Sequence, residues 1–387
     1  MALVLMCAMA AQAAAFGSSD QGMVTADKVT VLQAPKFYPA VDAHTHLATT
    51  VEDFDLAIKA MDAAGVAVSI NLSGGSGEDL DKALELAAKY PGRFVTFCGV
   101  RARGDEWKAP NVGELFAKSI QESHDKGAAG FGETVKWALF GRIDWDDPRL
   151  DPMWSKLEEL KMPINWHVGD PTRYWRPVTA FNCLESDGYE KGFPLKQALL
   201  FQQERVLEKH PNLIVIASHA NYLTDQIPYL EYRLAKYPNY YIDLAAACDE
   251  FGRVPEEFVY IATKYPDRIF YGTDAGYRGG KVEKYGGLER TVNDFKAFQV
   301  AHFLFLGTNQ KMIPIPFNGN YGEHLIYWEN GFTRYANDGV ALPDDVLAKI
   351  YYRNAEKVFG IEVEGWKPAG EFSYEIKPVA AEPAPAE

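Results

Sequence analysis

Five side chains with metal-binding chemistry stand at or near the ends of apolar runs in this sequence. His44 and His46 form an H-x-H pair in YPAVDAHTHL (38–47), His167 lies in MPINWHVG (162–169), His219 in NLIVIASHA (212–220) and Asp274 in RIFYGTDAG (268–276). Side chains alternate along a strand, so residues two apart share a face, and imidazoles at that spacing can hold one metal ion. A lone strand-end histidine is ordinarily a hydrogen-bonded or solvated residue. Five such groups on four runs form a coherent set, provided that the fold brings the run ends together.

The surrounding elements supply such a fold. Short apolar runs (38–47, 66–73, 93–100, 127–137, 162–169, 212–220, 240–246, 268–276) alternate with amphipathic segments. Those segments (51–65, 77–92, 111–127, 152–162, 195–211, 223–238, 255–266) carry apolar residues at helical spacing and mostly stop at Gly or Pro. Most of the runs are continuously apolar, as parallel strands covered on both faces should be. Approximate strand ends at His44, Leu72, Val100, Glu133, His167, His219, Leu244 and Asp274 are 25–34 residues apart except for one step of 52. A strand–helix–strand unit needs about 30 residues. Eight in succession predict an α/β protein of the (β/α)8 TIM-barrel class, with an open doubly wound sheet as the alternative. In a barrel the C-terminal ends of the strands converge on one mouth. Two connections are long, 170–194 after the fifth strand and the stretch after the eighth, which holds a helix near 288–305 and then 307–324. Loops of that length in a compact domain are usually lids or binding loops.

DAHTH (42–46), the fifth-strand NWHVGD (165–170), the sixth-strand ASHAN (217–221) and the eighth-strand YGTDAG (271–276) resemble the amidohydrolase superfamily, in particular the amidohydrolase-related group of metal-dependent hydrolases and decarboxylases. The resemblance spans about residues 38–360, ending in LPDDVLAKIYYRNAEKVFG (342–360). It implies that His44, His46, His167 and Asp274 bind a divalent cation, zinc before manganese, with Asp274 also catalytic. It implies that His219 is a ligand of a second metal or a catalytic acid/base. The sequence departs from the group's decarboxylases in following this histidine with Ala220-Asn221-Tyr222 rather than glycines, which favours hydrolysis. In GFGETVKW (130–137), Glu133 and Lys136 fall on opposite faces of a regular strand. Glu133 is preferred as the inward residue because Gly132 leaves room for close approach, and its carboxylate can bridge to a second cation. Lys136 as a carbamate bridge is the alternative.

Ligands of these types with an open position let a bound zinc ion lower the pKa of water from 15.7 to about 7. Asp274 would then take the proton, and His219 would polarise a carbonyl or protonate a leaving group. Asp42 is expected to orient an imidazole from behind. Arg173, Arg176, Arg253 and Arg278, with Tyr174 and Trp137, are candidate substrate contacts, suited to a small anionic or aromatic molecule. The expected activity is hydrolysis of an amide, ester or lactone. The alternative is metal-dependent, non-oxidative decarboxylation of an aromatic or unsaturated acid. A catalytically silent binding barrel is the third reading, and the intact ligand set speaks against it.

Composition narrows the partners. Lys+Arg 39 against Asp+Glu 53 gives a net charge of −14 in 387 residues, which repels nucleic acid. No apolar span reaches the ~20 residues of a transmembrane helix. Cys7, Cys98, Cys183 and Cys248 form no CxxC motif and indicate neither a zinc ribbon nor a disulfide framework. Residues 1–15 have the texture of a signal-peptide core with an A-x-A pattern at 11–13, though the first lysine is Lys28. They predict export to the periplasm or medium; otherwise the chain is cytoplasmic. The expected organisation is a lead-in at 16–37, the barrel at 38–362 and a tail at 363–387 that ends disordered. Barrels of the resembling group often dimerise, so a homodimer is also an expectation.

Overall fold

Eight short strands follow one another around a single parallel sheet in chain order: β1 (Ala40–Leu47), β2 (Val66–Asn71), β3 (Phe94–Cys98), β4 (Gly130–Phe131), β5 (Ile164–Trp166), β6 (Val215–Ala217), β7 (Tyr240–Asp243) and β8 (Ile269–Phe270). The computed structural model describes residues 36–133, 138, 142–169, 194–311, 313–314, 336–368 and 372. The eighth run continues past β8 into β9 (Ala275–Tyr277), which pairs with β1 so that Thr45 faces Ala275 and Leu47 faces Tyr277. Between them Ala43 N–H donates to Tyr271 O at 2.9 Å and Asp274 N–H donates to His44 O at 2.8 Å. Residues 269–277 are therefore one run bonded to β7 at its start and to β1 along its length, and the sheet closes into a barrel. The sequence predicts this run as one strand. It divides because Asp274 has φ +64, off the extended path. Gly272 eases the close approach there, since a Cβ would sit a tight 3.3 Å from the Cβ atoms of both His44 and Ala245.

The seven predicted helices all form, as α1 (Val51–Ala64), α2 (Glu78–Ala88), α3 (Val112–Asp125), α4 (Asp151–Glu159), α5 (Lys196–Lys209), α6 (Ile227–Lys236) and α7 (Pro255–Lys264). Their ends follow local chemistry. Thr50 caps α1 by accepting from Asp53 N–H, and Gly65 at φ +75 stops it. A longer α8 (Leu288–Gly307) packs along α1. The closing segment runs through α9 (Asp344–Ala348), a π turn (Lys349–Arg353) and α10 (Asn354–Phe359), with Tyr351 against Tyr271 and Tyr38.

Alternation in the strands separates two cores. Ile164 and Trp166 face the helices, where Trp166 stacks on Trp154 at 4.5 Å, while Asn165 and His167 face the barrel interior. Fully buried side chains such as Phe54, Phe97 and Phe131 each contribute about 1.5–3 kcal/mol relative to exposure. Among the described residues, no helix is long and apolar enough to cross a membrane. The predicted signal segment, the loop 170–193, Cys7, Cys183 and His324 lie outside the described residues.

Candidate metal centre

Six polar side chains from five places in the sheet meet at the barrel mouth. β1 contributes His44 and His46 on one face, with Asp42 one step deeper on the same face. Glu133 follows β4, His167 follows β5, His219 lies two residues past β6, and Asp274 lies between β8 and β9. Glu133 is at the centre. Its Oε1 is 2.5 Å from His167 Nδ1, 3.5 Å from His219 Nε2 and 3.8 Å from His44 Nε2, and its Oε2 is 3.5 Å from His46 Nε2. Asp274 Oδ1 is 3.3 Å from His46 Nε2 and 3.6 Å from His44 Nε2. His44, His46 and Glu133 form one group within metal-sharing distance, and Glu133, His167 and His219 form another, so Glu133 is common to both. The sequence expectations for these six residues thus meet in one place.

The rings are aimed by hydrogen bonds behind them. His44 Nδ1 bonds Asp243 Oδ2 at 3.0 Å, His46 Nδ1 bonds Ser73 Oγ at 2.9 Å, and His219 Nδ1 donates to Ala245 O at 2.8 Å. In each case Nε2 is left for the centre, the arrangement that fixes ligand histidines in metal sites. Asp243, the last residue of β7, is a hub. Its Oδ2 also accepts from Asn165 Nδ2 at 3.0 Å, and its Oδ1 accepts from the backbone N–H of His219 at 2.8 Å and of Ala245 at 3.2 Å. Sequence reasoning passed over Asp243 and Ser73. Ser73 carries the signal that found the histidines, a polar residue closing an apolar run, whereas Asp243 sits inside the run 240–246; neither was read as a partner of a ring.

Asp42 corrects an expectation. It does not orient an imidazole; its Oδ1 accepts from His44 N–H and Thr273 N–H, and its Oδ2 accepts from Thr273 Oγ1 at 2.5 Å. It therefore ties the β1 backbone to the segment that presents Asp274. Burial pushes its carboxyl up to about 7 against these three hydrogen bonds.

Charge is balanced within the cluster. Burial disfavours an ionised Glu133, but the imidazoles of His167, His219 and His44 outweigh it and hold the carboxyl well below the usual range. Asp274 is likewise held down, burial being overcome by the hydrogen bond from His46 and the nearby His44 and His219. Burial alone would lower His46 and His219; Asp274 raises the first and Glu133 the second. The side chains of His46 and Asp274 are 20% and 21% exposed against 0% for His44, so solvent reaches the centre from their side.

The fully buried His44 Nε2 has no hydrogen-bond partner among the described residues. A buried lone pair left so is costly, and a cation would satisfy it. Together with neutral-nitrogen and carboxylate donors facing one another, this is a donor set that fits a divalent metal.

Arg278 is half-buried beside this open edge, and its charge is close enough to oppose protonation of His46. The turn after it is pinned by Asp53, whose Oδ1 accepts from Gly279 N–H at 2.6 Å and Oδ2 from Ala48 N–H at 3.0 Å. Arg278 forms no ion pair among the described residues. Arg253 is bonded to Glu250 at 3.0 Å with about half of its side chain exposed (53%). Arg173, Tyr174, Arg176, Trp137 and Lys136 lie outside the described residues. Other histidines stay structural: His302 is buried, bonded to Phe298 O and pushed down to about 4 by burial, and His210 closes α5 between Asp151 and Glu158.

The family model described as "Amidohydrolase" matches residues 41–361, from the start of β1 to just past α10. The chain belongs to the amidohydrolase family. The match runs through every element that contributes to the centre, and members of the family generally depend on a divalent metal. No curated protein matches the sequence. Among solved structures, an uncharacterised TIM-barrel protein from Bordetella bronchiseptica is 15% identical, with 84% of this chain and 99% of that chain covered and a TM-score of 0.45. A 2,6-dihydroxybenzoate decarboxylase from Rhizobium is 17% identical (84% and 99% covered, TM-score 0.44), and a dihydroorotase from Campylobacter jejuni is 13% identical (86% and 87%, TM-score 0.46). Likenesses this distant do not choose between hydrolysis and decarboxylation.

The sixth-strand histidine is presented in an uncommon way. His219, Ala220, Asn221 and Tyr222 have φ of 57, 51, 51 and 47°, a left-handed turn without a glycine. Such residues cost of order 1–2 kcal/mol each, least for Asn. Glycines at 220 and 221 would adopt this backbone freely.

Proposed function

We propose that the protein is a metal-dependent hydrolase of small, anionic amides, esters or lactones, with Glu133 bridging two cation positions. The position of Glu133 carries this reading: one carboxyl group faces the His44/His46 pair and the His167/His219 pair at once. His44, His46 and Asp274 would hold one ion and His167 and His219 the other, zinc or manganese in each. The bound metal supplies Lewis acidity and water of lowered pKa. Asp274, at the exposed edge and held ionised by its histidine neighbours, is placed to take the proton of an attacking water. His219 would hold its ion through Nε2, since its Nδ1–H is committed to Ala245 O, and the proton that Asp274 takes from the water would then pass to the leaving group. Arg278 at the same edge offers a guanidinium to a substrate carboxylate. Decarboxylation at a single cation is the alternative, and there Glu133 would be one more ligand of that ion.

The test is metal titration of metal-stripped protein with Zn²⁺ and Mn²⁺, alongside Glu133→Gln. Two ions per chain are expected, falling to one or none in the variant. A single ion per chain, bound equally well by Glu133→Gln, would remove the bridge. Hydrolysis of carboxylated amides, esters and lactones by the metal-loaded protein then identifies the bond.

A further inference from the structure

The left-handed turn His219–Tyr222 is held from behind by a buried polar network that the metal centre does not use. Arg233 on α6 is entirely buried, lies over the Tyr240 ring at 4.8 Å and donates through Nη2 to Gln203 Oε1 on α5. A guanidinium only donates, so Gln203 must turn its carbonyl oxygen toward Arg233. That oxygen also receives Asn221 Nδ2 at 3.1 Å, and the same Nδ2 donates to Tyr240 Oη at 2.8 Å. Asn221 is thereby fixed between α5 and β7, with Arg233 of α6 holding Gln203. The next residue is held too: buried Lys196 donates through Nζ to Tyr222 O at 2.6 Å, and the Tyr222 ring stacks on His219 at 5.0 Å.

We propose that Asn221 is a positioning residue, its side chain locked by Gln203 and Tyr240 so that the turn keeps, without glycine, the left-handed backbone that carries the His219 ring to the centre. Alanine at 221 would have neither the lock nor tolerance of φ +51, whereas glycine would lack the lock but adopt the backbone freely. The consequence for activity rests on His219 working in the centre as proposed above; the placement of its ring does not.

The test uses metal-free, full-length protein labelled at histidine Cε1 with carbon-13, the His219 signal being assigned by its loss in His219→Gln. In Asn221→Ala the His219 signal is expected to shift or split while those of His44 and His46 stay, and Asn221→Gly is expected to keep all three. A folded Asn221→Ala with an unmoved His219 signal overturns the proposal, as does Asn221→Gly disturbing the ring as much as alanine. Should Asn221→Ala fail to fold, Tyr240→Phe decides, since it removes one arm of the lock and leaves residue 221 in place: a shifted His219 signal is expected, and an unmoved one overturns the proposal. Zinc affinity separates this proposal from the functional one. A roughly tenfold loss in Asn221→Ala accompanies the ring shift if His219 is a ligand. A ring shift with unchanged affinity supports the positioning role and removes His219 from the ligand set.

Discussion

His44 and His46 project from within an eight-residue strand, whereas His167 and His219 stand one and two residues beyond strands of three. On the β1 side the backbone does most of the placing. Pairing with both β2 and β9 sets the strand, alternation sets the face, and one hydrogen bond per ring sets the tilt. On the β6 side the strand has already ended, so placement falls to side chains: Asp243 on the His219 amide, Asn221 in its buried lock and Lys196 on Tyr222. A regular ladder positions a group at little conformational cost, whereas a group beyond the ladder needs a supporting network of side chains.

The two sides should answer differently to mutation. His44→Ala removes the fully buried Nε2 that has no hydrogen-bond partner among the described residues and is expected to cost more than about 100-fold in zinc affinity, beyond the 10–100-fold typical of outer-shell partners. Metal competition assays measure it, and retained binding would show that the β1 pair is not where the cation sits. Asp243→Asn keeps the shape but turns a donor toward His44 Nδ1 or the His219 amide, whichever oxygen is replaced. Since Asp243 serves both sides, a loss of about 10–100-fold is expected for every ion that binds. A loss confined to one ion would break the hub into two independent supports.

The same contrast explains what could be read beforehand. The eight runs, the seven helices and the H-x-H face were legible because period-2 and period-3.6 patterns are local properties of the chain. Asp42 was misread because a carboxylate two residues from a histidine on the same face is equally spaced to serve a ring or the backbone; only the position of Thr273, 231 residues on, decides. The division of the eighth run also escaped, since nothing local in YGTDAG announces a positive φ at an aspartate. Asp243 and Asn221 act through partners brought together by barrel closure, and their roles are written in no single segment.

Arg278 offers a smaller but sharper test of the open edge. Arg278→Met is expected to raise KM about tenfold for a carboxylated substrate, the worth of one charge-assisted contact. The kcat for that substrate and the KM for a neutral analogue should stay unchanged, because the residue binds at the His46/Asp274 edge rather than reacting there. Equal losses for charged and neutral substrates would instead make the Arg278 turn, pinned by Asp53, a structural part of the rim.

The smallest expected effect compares two buried alanines. Ala60 lies within α1 and Ala220 within the left-handed turn, both with no exposed surface. Ala60→Gly loses a buried methyl, worth about 0.8 kcal/mol, and pays the helix penalty of about 1 kcal/mol. A destabilisation near 2 kcal/mol follows. Ala220→Gly loses the same methyl and about 0.4–1 kcal/mol to the freer unfolded chain, but it releases the roughly 1–2 kcal/mol held at φ +51. These nearly cancel, so urea unfolding of the metal-free protein should find Ala220→Gly within about 1 kcal/mol of wild type. If instead both substitutions cost the same, the left-handed turn stores no strain at Ala220, and the network behind it is holding His219 against something other than the backbone's own preference.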